Sequence, residues 1–329
     1  MSIIKELLLW FLFLLLIVAG LFAYYANNPI PLERTPFEFS LKQGSSLKSA
    51  ARQIGQAGGL NNEWLFVMLA RGLGKAAQIK PGNYQLEREV TPLQLLKIIS
   101  KGQVEQSSLT IIEGSTFKQL RETLNAEPTL RHDSANLSEA ELLKRIGASE
   151  TRAEGLFFPD TYNYDKGSSD IAVLKRAYQL MQRQLQENWK KRDANLPFDT
   201  PYEALIMASI VEKETGQPGD RTMIASVFIN RLRKNMRLQT DPSVIYGMGD
   251  KFNGNLRKKD LTTDTPYNTY TRNGLTPTPI ALPGLAAIQA ALHPAPSRAL
   301  YFVARGDGTS QFSNTLVEHN NAVTRYQLK

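Results

Sequence analysis

Pro201-Tyr-Glu-Ala-Leu-Ile-Met-Ala-Ser-Ile-Val-Glu212-Lys-Glu214-Thr-Gly216 reads as an apolar helix closed by two glutamates and a glycine. At about 100° per residue, Glu214 follows Val211 by three positions, Ile210 by four and Met207 by seven, so it shares their apolar face. Glu212 follows Ser209, Ala208 and Leu205 instead. Desolvation among apolar side chains disfavours a charged carboxylate and raises its pKa, the property a glycosidase general acid needs near neutral pH. Periodicity alone leaves a second reading open, with Glu214 a half-exposed residue of the last turn paired with Lys213 or an arginine.

Outward from this helix, Ile171 to Trp189 reads as a long basic amphipathic helix, and Thr222 to Lys234 as a third that ends in Arg231, Arg233 and Lys234. Cations in the last turn are what a helix C-terminus favours. Residues 250 to 284 are dense in Thr, Asn, Pro, Gly and Tyr, a composition for loops and short strands, where ligand sites collect. Upstream, Phe37, Phe39 and Leu41 alternate with polar residues as a strand, Gly44-Ser45-Ser46 turns into a helix from Leu47 to Ile54, and Trp64 to Leu73 forms another. Gly82 to Leu86 is a turn into a strand, and Pro92 to Ile99 a helix with Pro in its first turn. The order strand, helix, helix, strand is that of small carbohydrate-binding LysM modules, which residues 37 to 90 resemble by pattern. Leu41 to Lys48 is echoed by Ile111 to Lys118, an echo that any strand-to-helix turn produces by choosing Gly and Ser.

Leu7 to Tyr25 is a run of 19 residues without a charge. As a helix at ~1.5 Å per residue it approaches the ~30 Å hydrocarbon core, so one membrane span is expected. A cleaved signal peptide is the rival reading, but this run ends in Phe22, Tyr24 and Tyr25, not at a small-x-small site. Glu6 offsets Lys5, which leaves the α-amino group as the charge that places the N-terminus inside. Asn27 to Pro36 is read as a short extended linker.

The 329 residues carry 39 Lys+Arg against 31 Asp+Glu, a net charge of +8, with 42% hydrophobic residues, which excludes a disordered chain. The absence of cysteine excludes a thiol nucleophile and any Cys-ligated metal. His132, His293 and His319 are scattered with no metal-binding spacing, so no metal and no cofactor is expected and the acid or base is sought among carboxylates. Lys175, Arg176, Arg183, Lys190, Lys191 and Arg192, with Arg257, Lys258 and Lys259, suit anionic head groups or peptide carboxylates, or are plain solvated faces. Nucleic acid is disfavoured by the external location.

Four longer stretches carry a resemblance: Glu154-Gly-Leu-Phe-Phe-Pro-Asp-Thr-Tyr162, Ala208 to Gly216, Ile224 to Gly249 and Thr265 to Leu275, followed by His293 to Ala295 and Leu300 to Ala304. In this order they resemble the YceG-like family of endolytic murein transglycosylases over essentially the whole chain. The resemblance implies an α+β chain: cytoplasmic residues 1–6, a transmembrane helix at 7–25, a linker at 26–36, a small LysM-like βααβ module at 37–104 and a larger mixed α/β catalytic domain at 105–329. It implies a single-pass protein of the bacterial inner membrane with a periplasmic catalytic domain. Such an enzyme cuts the MurNAc–GlcNAc β-1,4 bond of nascent glycan strands, leaves 1,6-anhydro-MurNAc ends and so ends strand elongation, with peptidoglycan synthases as candidate partners.

The family's catalytic glutamate corresponds to Glu214, serving as acid and then as base. Gln239, Thr240, Asp241, Tyr246, Tyr267, Asn268 and Tyr270 are the residues expected to meet substrate. For Asp241, stabilising positive charge on the sugar stands beside capping the following helix, and for the tyrosines sugar contact stands beside simple packing. Glu154 and Asp160 flank a turn read as buried structure or site. Where the family commonly has Pro, Gly and Asn, this chain has Thr276, Thr278 and Leu282, which puts the rigidity of that loop in doubt. The non-enzymatic alternative is a membrane-tethered peptidoglycan-binding scaffold that recruits synthases.

Overall fold

The computed structural model describes residues 2–32, 36–86, 88–102 and 106–327. It forms two compact units, Met1–Ser107 with Asn163–Ser168, and Ser108–Tyr162 with Ser169–Lys329. The boundary expected at 104/105 and residues 33–35 of the expected linker lie outside the described residues.

The first unit runs α1 (Ser2–Asn27), β1 (Phe37–Leu41), α2 (Leu47–Gln56), α3 (Glu63–Gly72), β2 (Gly82–Leu86) and α4 (Pro92–Lys101). The two strands pair antiparallel from Phe37↔Leu86 to Leu41↔Gly82, giving the expected strand, helix, helix, strand order. Phe37, Phe39 and Leu41 face inward on alternate positions, and Phe39 stacks on Tyr84 at 5.2 Å between centroids. The Tyr84 hydroxyl donates to the Lys80 carbonyl at 2.7 Å, so the buried ring carries no orphaned polar atom. Ser46 and Asn62 cap α2 and α3 through their side chains, and Thr91 with Gln94 forms a capping box on α4.

Over Leu7–Asn27, α1 is long and apolar enough to cross a membrane. The stretch between α1 and β1 is not a free extended linker. Ala26 and Ile30 are buried, Leu32 packs on the same core, and the Ile30 N–H donates to the Val90 carbonyl at 2.9 Å. The prolines of Asn-Pro-Ile-Pro-Leu suggested a spacer, but two aliphatic side chains within it have apolar surface to bury, and burial wins.

The chain passes between the units at β3 (Gln106–Thr110) and β4 (Thr161–Asp165), which pair as a two-stranded sheet. Between these strands lie α5 (Phe117–Ala126) and α6 (Glu139–Ile146). After β4 come α7 (Asp170–Trp189), α8 (Pro201–Glu214), α9 (Arg221–Arg233), α10 (Asp241–Met248), a 3₁₀ turn at Gly249–Lys251, α11 (Lys258–Thr262) and α12 (Leu285–Leu292). The hairpin of β5 (Tyr301–Ala304) and β6 (Ser310–Ser313) and the helix α13 (Leu316–Tyr326) complete the second unit.

Helix α8 is its axis, with α7, α9, α10 and α12 packed around it. Ala204 to Val211 are all buried, as expected of a helix apolar on every side. The small residues of α12, Leu-Ala-Ala-Ile-Gln-Ala-Ala-Leu, allow close approach to it. A loop then runs along α8. The Ile280 N–H donates to Ser209 Oγ and the Gly284 N–H to Glu212 Oε2, each at 2.9 Å, while Leu282 exchanges backbone bonds with Ser115 and Gly114.

Threonines in this loop tie it to its own backbone. Thr276 Oγ1 donates to the Thr278 carbonyl and Thr278 Oγ1 to that of Pro279, both at 2.8 Å, and Leu282 is fully buried.

Gly155 meets this loop with φ of +81°, and a Cβ there would lie 2.4 Å from Pro279 Cβ. Gly155→Ala therefore combines a disfavoured conformation with a clash against a ring that cannot yield, a cost of about 2 kcal/mol or more. Gly274→Ala, at φ of +86° but in open space, bears the conformational cost alone. Thermal unfolding should show the larger drop in Tm for the first, by about 4 °C or more relative to wild type; equal midpoints would contradict the packing described.

Candidate active site

The last turn of α8 carries Glu214 out of the core to a cleft of about 560 Å³. Glu214, Arg231, Gln239, Asp241 and Tyr270 line one part of it, and Tyr301, Phe302 and His319 from the C-terminal hairpin and α13 line another. Glu214 is half-buried, and burial pushes its carboxyl above the usual range. The hydroxyl of buried Thr240 donates to Oε2 at 2.6 Å and opposes that shift, Asp241 adds to it, and Arg231 opposes it. Oε1 has no hydrogen-bond partner among the described residues and is open to a ligand.

Thr240 is held where it is by its neighbours. Its N–H donates to Thr269 Oγ1 at 3.0 Å, and Ser243 Oγ donates to its carbonyl at 2.8 Å. Gln239, just before it, sits at φ of +52°, a left-handed conformation that costs a non-glycine residue about 1 kcal/mol. Three bonds impose it: the Gln239 N–H donates to the Thr269 carbonyl, and Arg231 Nη1 donates to the Leu238 carbonyl at 2.8 Å and to Gln239 Oε1 at 3.3 Å. Asp241 Oδ1 accepts from the Tyr270 hydroxyl at 2.6 Å. Its side chain does not cap α10, which has Thr240 at its N-cap and no side-chain cap bond, so of its two expected roles the capping one is not observed.

The expected residues thus divide. Glu214, Gln239, Thr240, Asp241 and Tyr270 come together around the cleft. Tyr246, Tyr267 and Asn268 do not line it. The Tyr246 hydroxyl donates to Glu154 Oε2 at 3.1 Å, and its ring meets Tyr267 edge-on at 4.9 Å. Tyr267 is bonded to Thr278 and lines a separate cavity with Tyr202 and Arg152. Asn268 is fully buried and spends its amide on its own loop, donating to the carbonyls of Asp260, Leu261 and Thr263. An amide next to tyrosines suited a sugar, but a long loop has carbonyls of its own to satisfy. Glu212 accepts the Gly284 N–H at the start of α12 and so serves packing.

Four of these lining residues, Arg231, Tyr301, Phe302 and His319, lie outside the set expected from sequence. In sequence Arg231 has the look of an ordinary helix-end cation. It follows Phe228 by three, Val227 by four and Ile224 by seven, all buried, and that spacing was the available signal. Its guanidinium lies 5.2 Å over the Tyr301 ring, which stacks on His319, likewise at 5.2 Å. Tyr301 and His319 reach the cleft through the hairpin and α13, a tertiary closure with no local pattern.

Glu154 is buried, accepts the Phe117 N–H at 2.9 Å and has its pKa raised by desolvation to about 7. A folded-state value above the ordinary 4.5 means this group's contribution to stability is fully present below about pH 4.5 and is lost as pH rises through about 7. Glu154→Gln, neutral throughout, should not show that loss. Chemical denaturation at matched pH should find the stability difference between variant and wild type moving by about 3 kcal/mol in the variant's favour from mildly acidic to mildly alkaline pH. A gap independent of pH would be inconsistent with a buried, protonated Glu154.

Against known proteins, residues 39–325 match the model of the YceG-like family. An endolytic murein transglycosylase of Bacillus subtilis is 30% identical over 331 residues, which cover 94% of this chain and 91% of that one. A protein of the same name from Streptococcus pneumoniae is 28% identical over 95% of this chain, which spans 64% of the pneumococcal protein. The crystal structure of a YceG-like protein of Listeria monocytogenes matches 86% of this chain and 97% of that one, with a TM-score of 0.54 and 31% identity. With the motif order read from sequence and the family match both running nearly end to end, the chain belongs to the YceG-like family.

Proposed function

We propose that this chain is a membrane-anchored lytic transglycosylase that cuts peptidoglycan glycan strands internally at the MurNAc–GlcNAc β-1,4 bond. The single observation that carries the reading is Glu214: a carboxyl with a raised pKa, one oxygen held by Thr240 and the other unpartnered, at the edge of a cleft of about 560 Å³. The names of the Bacillus subtilis and Streptococcus pneumoniae relatives supply the reaction class. Residues 7–25 are the anchor, with the N-terminus inside and the second unit outside the cytoplasm. The βααβ part of the first unit serves as a LysM-like glycan-binding module.

In the proposed reaction protonated Glu214 gives its proton to the glycosidic oxygen as the C1–O bond breaks and the bonding pair leaves with that oxygen. The C6 hydroxyl of the same MurNAc then closes on C1, and its proton returns to the Glu214 carboxylate, leaving a 1,6-anhydro end. Burial favours the protonated acid before the step, while Thr240 and Arg231 favour the anion that exists between the two transfers. Asp241, held by Tyr270, places negative charge in the same cleft where positive charge develops on the sugar.

A second carboxylate in the cleft also fits ordinary two-carboxylate hydrolysis, which leaves a reducing end. Product chemistry separates all readings. Isolated sacculi treated with the protein should release fragments ending in anhydro-MurNAc. Reducing ends would indicate hydrolysis, and no release the scaffold reading. Glu214→Gln should lower turnover by ~10²-fold or more while the protein stays folded, because an amide of the same volume has no proton to transfer. Glu212→Gln keeps an oxygen for the Gly284 N–H and should retain most activity. The rate of wild type should fall as pH climbs above the raised Glu214 pKa, where the acid has lost its proton. A reversed ranking of the two variants, or a rate flat to alkaline pH, would contradict the assignment.

A further inference from the structure

One face of α3 has no protein cover. Trp64 is 67% exposed and Met68 41%. They stand four residues apart, while Phe66, Val67, Leu69 and Ala70 of the same helix are buried. Exposed Arg71 extends the stripe three residues beyond Met68. The exposed indole and thioether form a small apolar stripe on the outer face of the helix.

The start of α3 is tied to the end of α1. The Tyr25 hydroxyl donates to the carbonyl of Asn62, the residue that caps α3, at 3.1 Å. Ala26 is buried in the core of the first unit, and Phe22 packs against that core. These contacts fix depth. The 19 residues from Leu7 to Tyr25 make a helix of ~28 Å, about the ~30 Å of hydrocarbon a span must cross. If Leu7 stands at one edge of that layer, Tyr25 stands at the other, and Asn62 is bonded to it. Trp64 follows Asn62 by two residues. On that placement Trp64 would come to the boundary of acyl chains and head groups, the layer in which tryptophan is most at home because its ring is apolar and its N–H is not.

We infer that α3 rests on the lipid surface, with Trp64 and Met68 in the interfacial layer and Arg71 extended to anionic head groups. The first unit then has a second, non-spanning membrane contact that fixes its rotation about α1. Basic charge beside interfacial aromatic and sulfur side chains is the composition that an anionic bilayer binds. The inference rests on α1 crossing the bilayer and is independent of the chemistry at Glu214.

Tryptophan occurs at only three positions, Trp10, Trp64 and Trp189, so each can be observed alone. The full chain carrying Trp10→Phe and Trp189→Phe is reconstituted in phosphatidylglycerol-containing vesicles with lipids brominated either near the head group or near the chain end. Shallow bromine should lower Trp64 emission at least about two-fold, and more than deep bromine does. A companion chain with Trp10 alone reports insertion of α1. Quenched Trp10 with Trp64 equally bright in brominated and plain vesicles overturns the inference. So does a Trp64 that iodide cannot reach and bromine does not quench, which marks a protein cover instead. Unquenched Trp10 removes the anchor and this inference with it, while leaving the turnover assays of Glu214 untouched. The chain has no cysteine, so Met68→Cys carrying a nitroxide supplies a measurement with every tryptophan in place. Its label should be more accessible to oxygen than to a water-soluble nickel complex, and the opposite ranking overturns the inference.

Discussion

Enclosure of α8 on every side is the constraint that shapes the second unit. A helix buried from Ala204 to Val211 has no room for a charge along its middle, so beyond Glu203 of the capping box a carboxylate reaches solvent only at the last turn. Two are available there, and they are used differently. Glu212 is spent on the Gly284 N–H, joining α8 to the start of α12, and Glu214 faces the cleft. The separation costs two residues of sequence, and it depends on the loop that runs along α8 having backbone donors at the right height.

The electrostatics of the cleft balance opposed demands on one group. Burial and the Asp241 charge favour the neutral acid, while the Thr240 hydroxyl and the Arg231 guanidinium favour the anion. A carboxyl under only the first pair would hold its proton too firmly to give it up, and under only the second would have none to give. Arg231 forms no ion pair among the described residues. Its bonds go to the carbonyls of Leu300, Leu238 and Arg237 and to Gln239, so no carboxylate is bonded to it and its charge acts on Glu214.

The elements with strong local signals were legible in sequence. Alternation gave β1, the uncharged run gave α1, and serine or proline at the right offset marked the starts of α2 and α4. Glu214 was legible as a residue on an apolar face, but periodicity could not decide whether that face was covered, and motif order was needed to single it out. Asn268 shows the limit of residue type as a guide: its amide suits a sugar, and its loop used it first. Tyr301 and His319 join the cleft through chain closure nearly a hundred residues after Glu214, and no periodicity encodes that. After α1 the prolines suggest a spacer, but Ile30 and Leu32 between them have a core to join.

Gln239 bears on how this protein can be improved. Its left-handed backbone is a site where glycine relieves strain, and a search for thermostable variants finds such substitutions readily. The gain would come with the loss of Oε1 as an acceptor for Arg231, freeing the residue that precedes Thr240. Selection for heat resistance alone therefore runs against selection for a well-placed acid at this position, and a laboratory lineage scored only on unfolding temperature should drift toward a sturdier, slower protein.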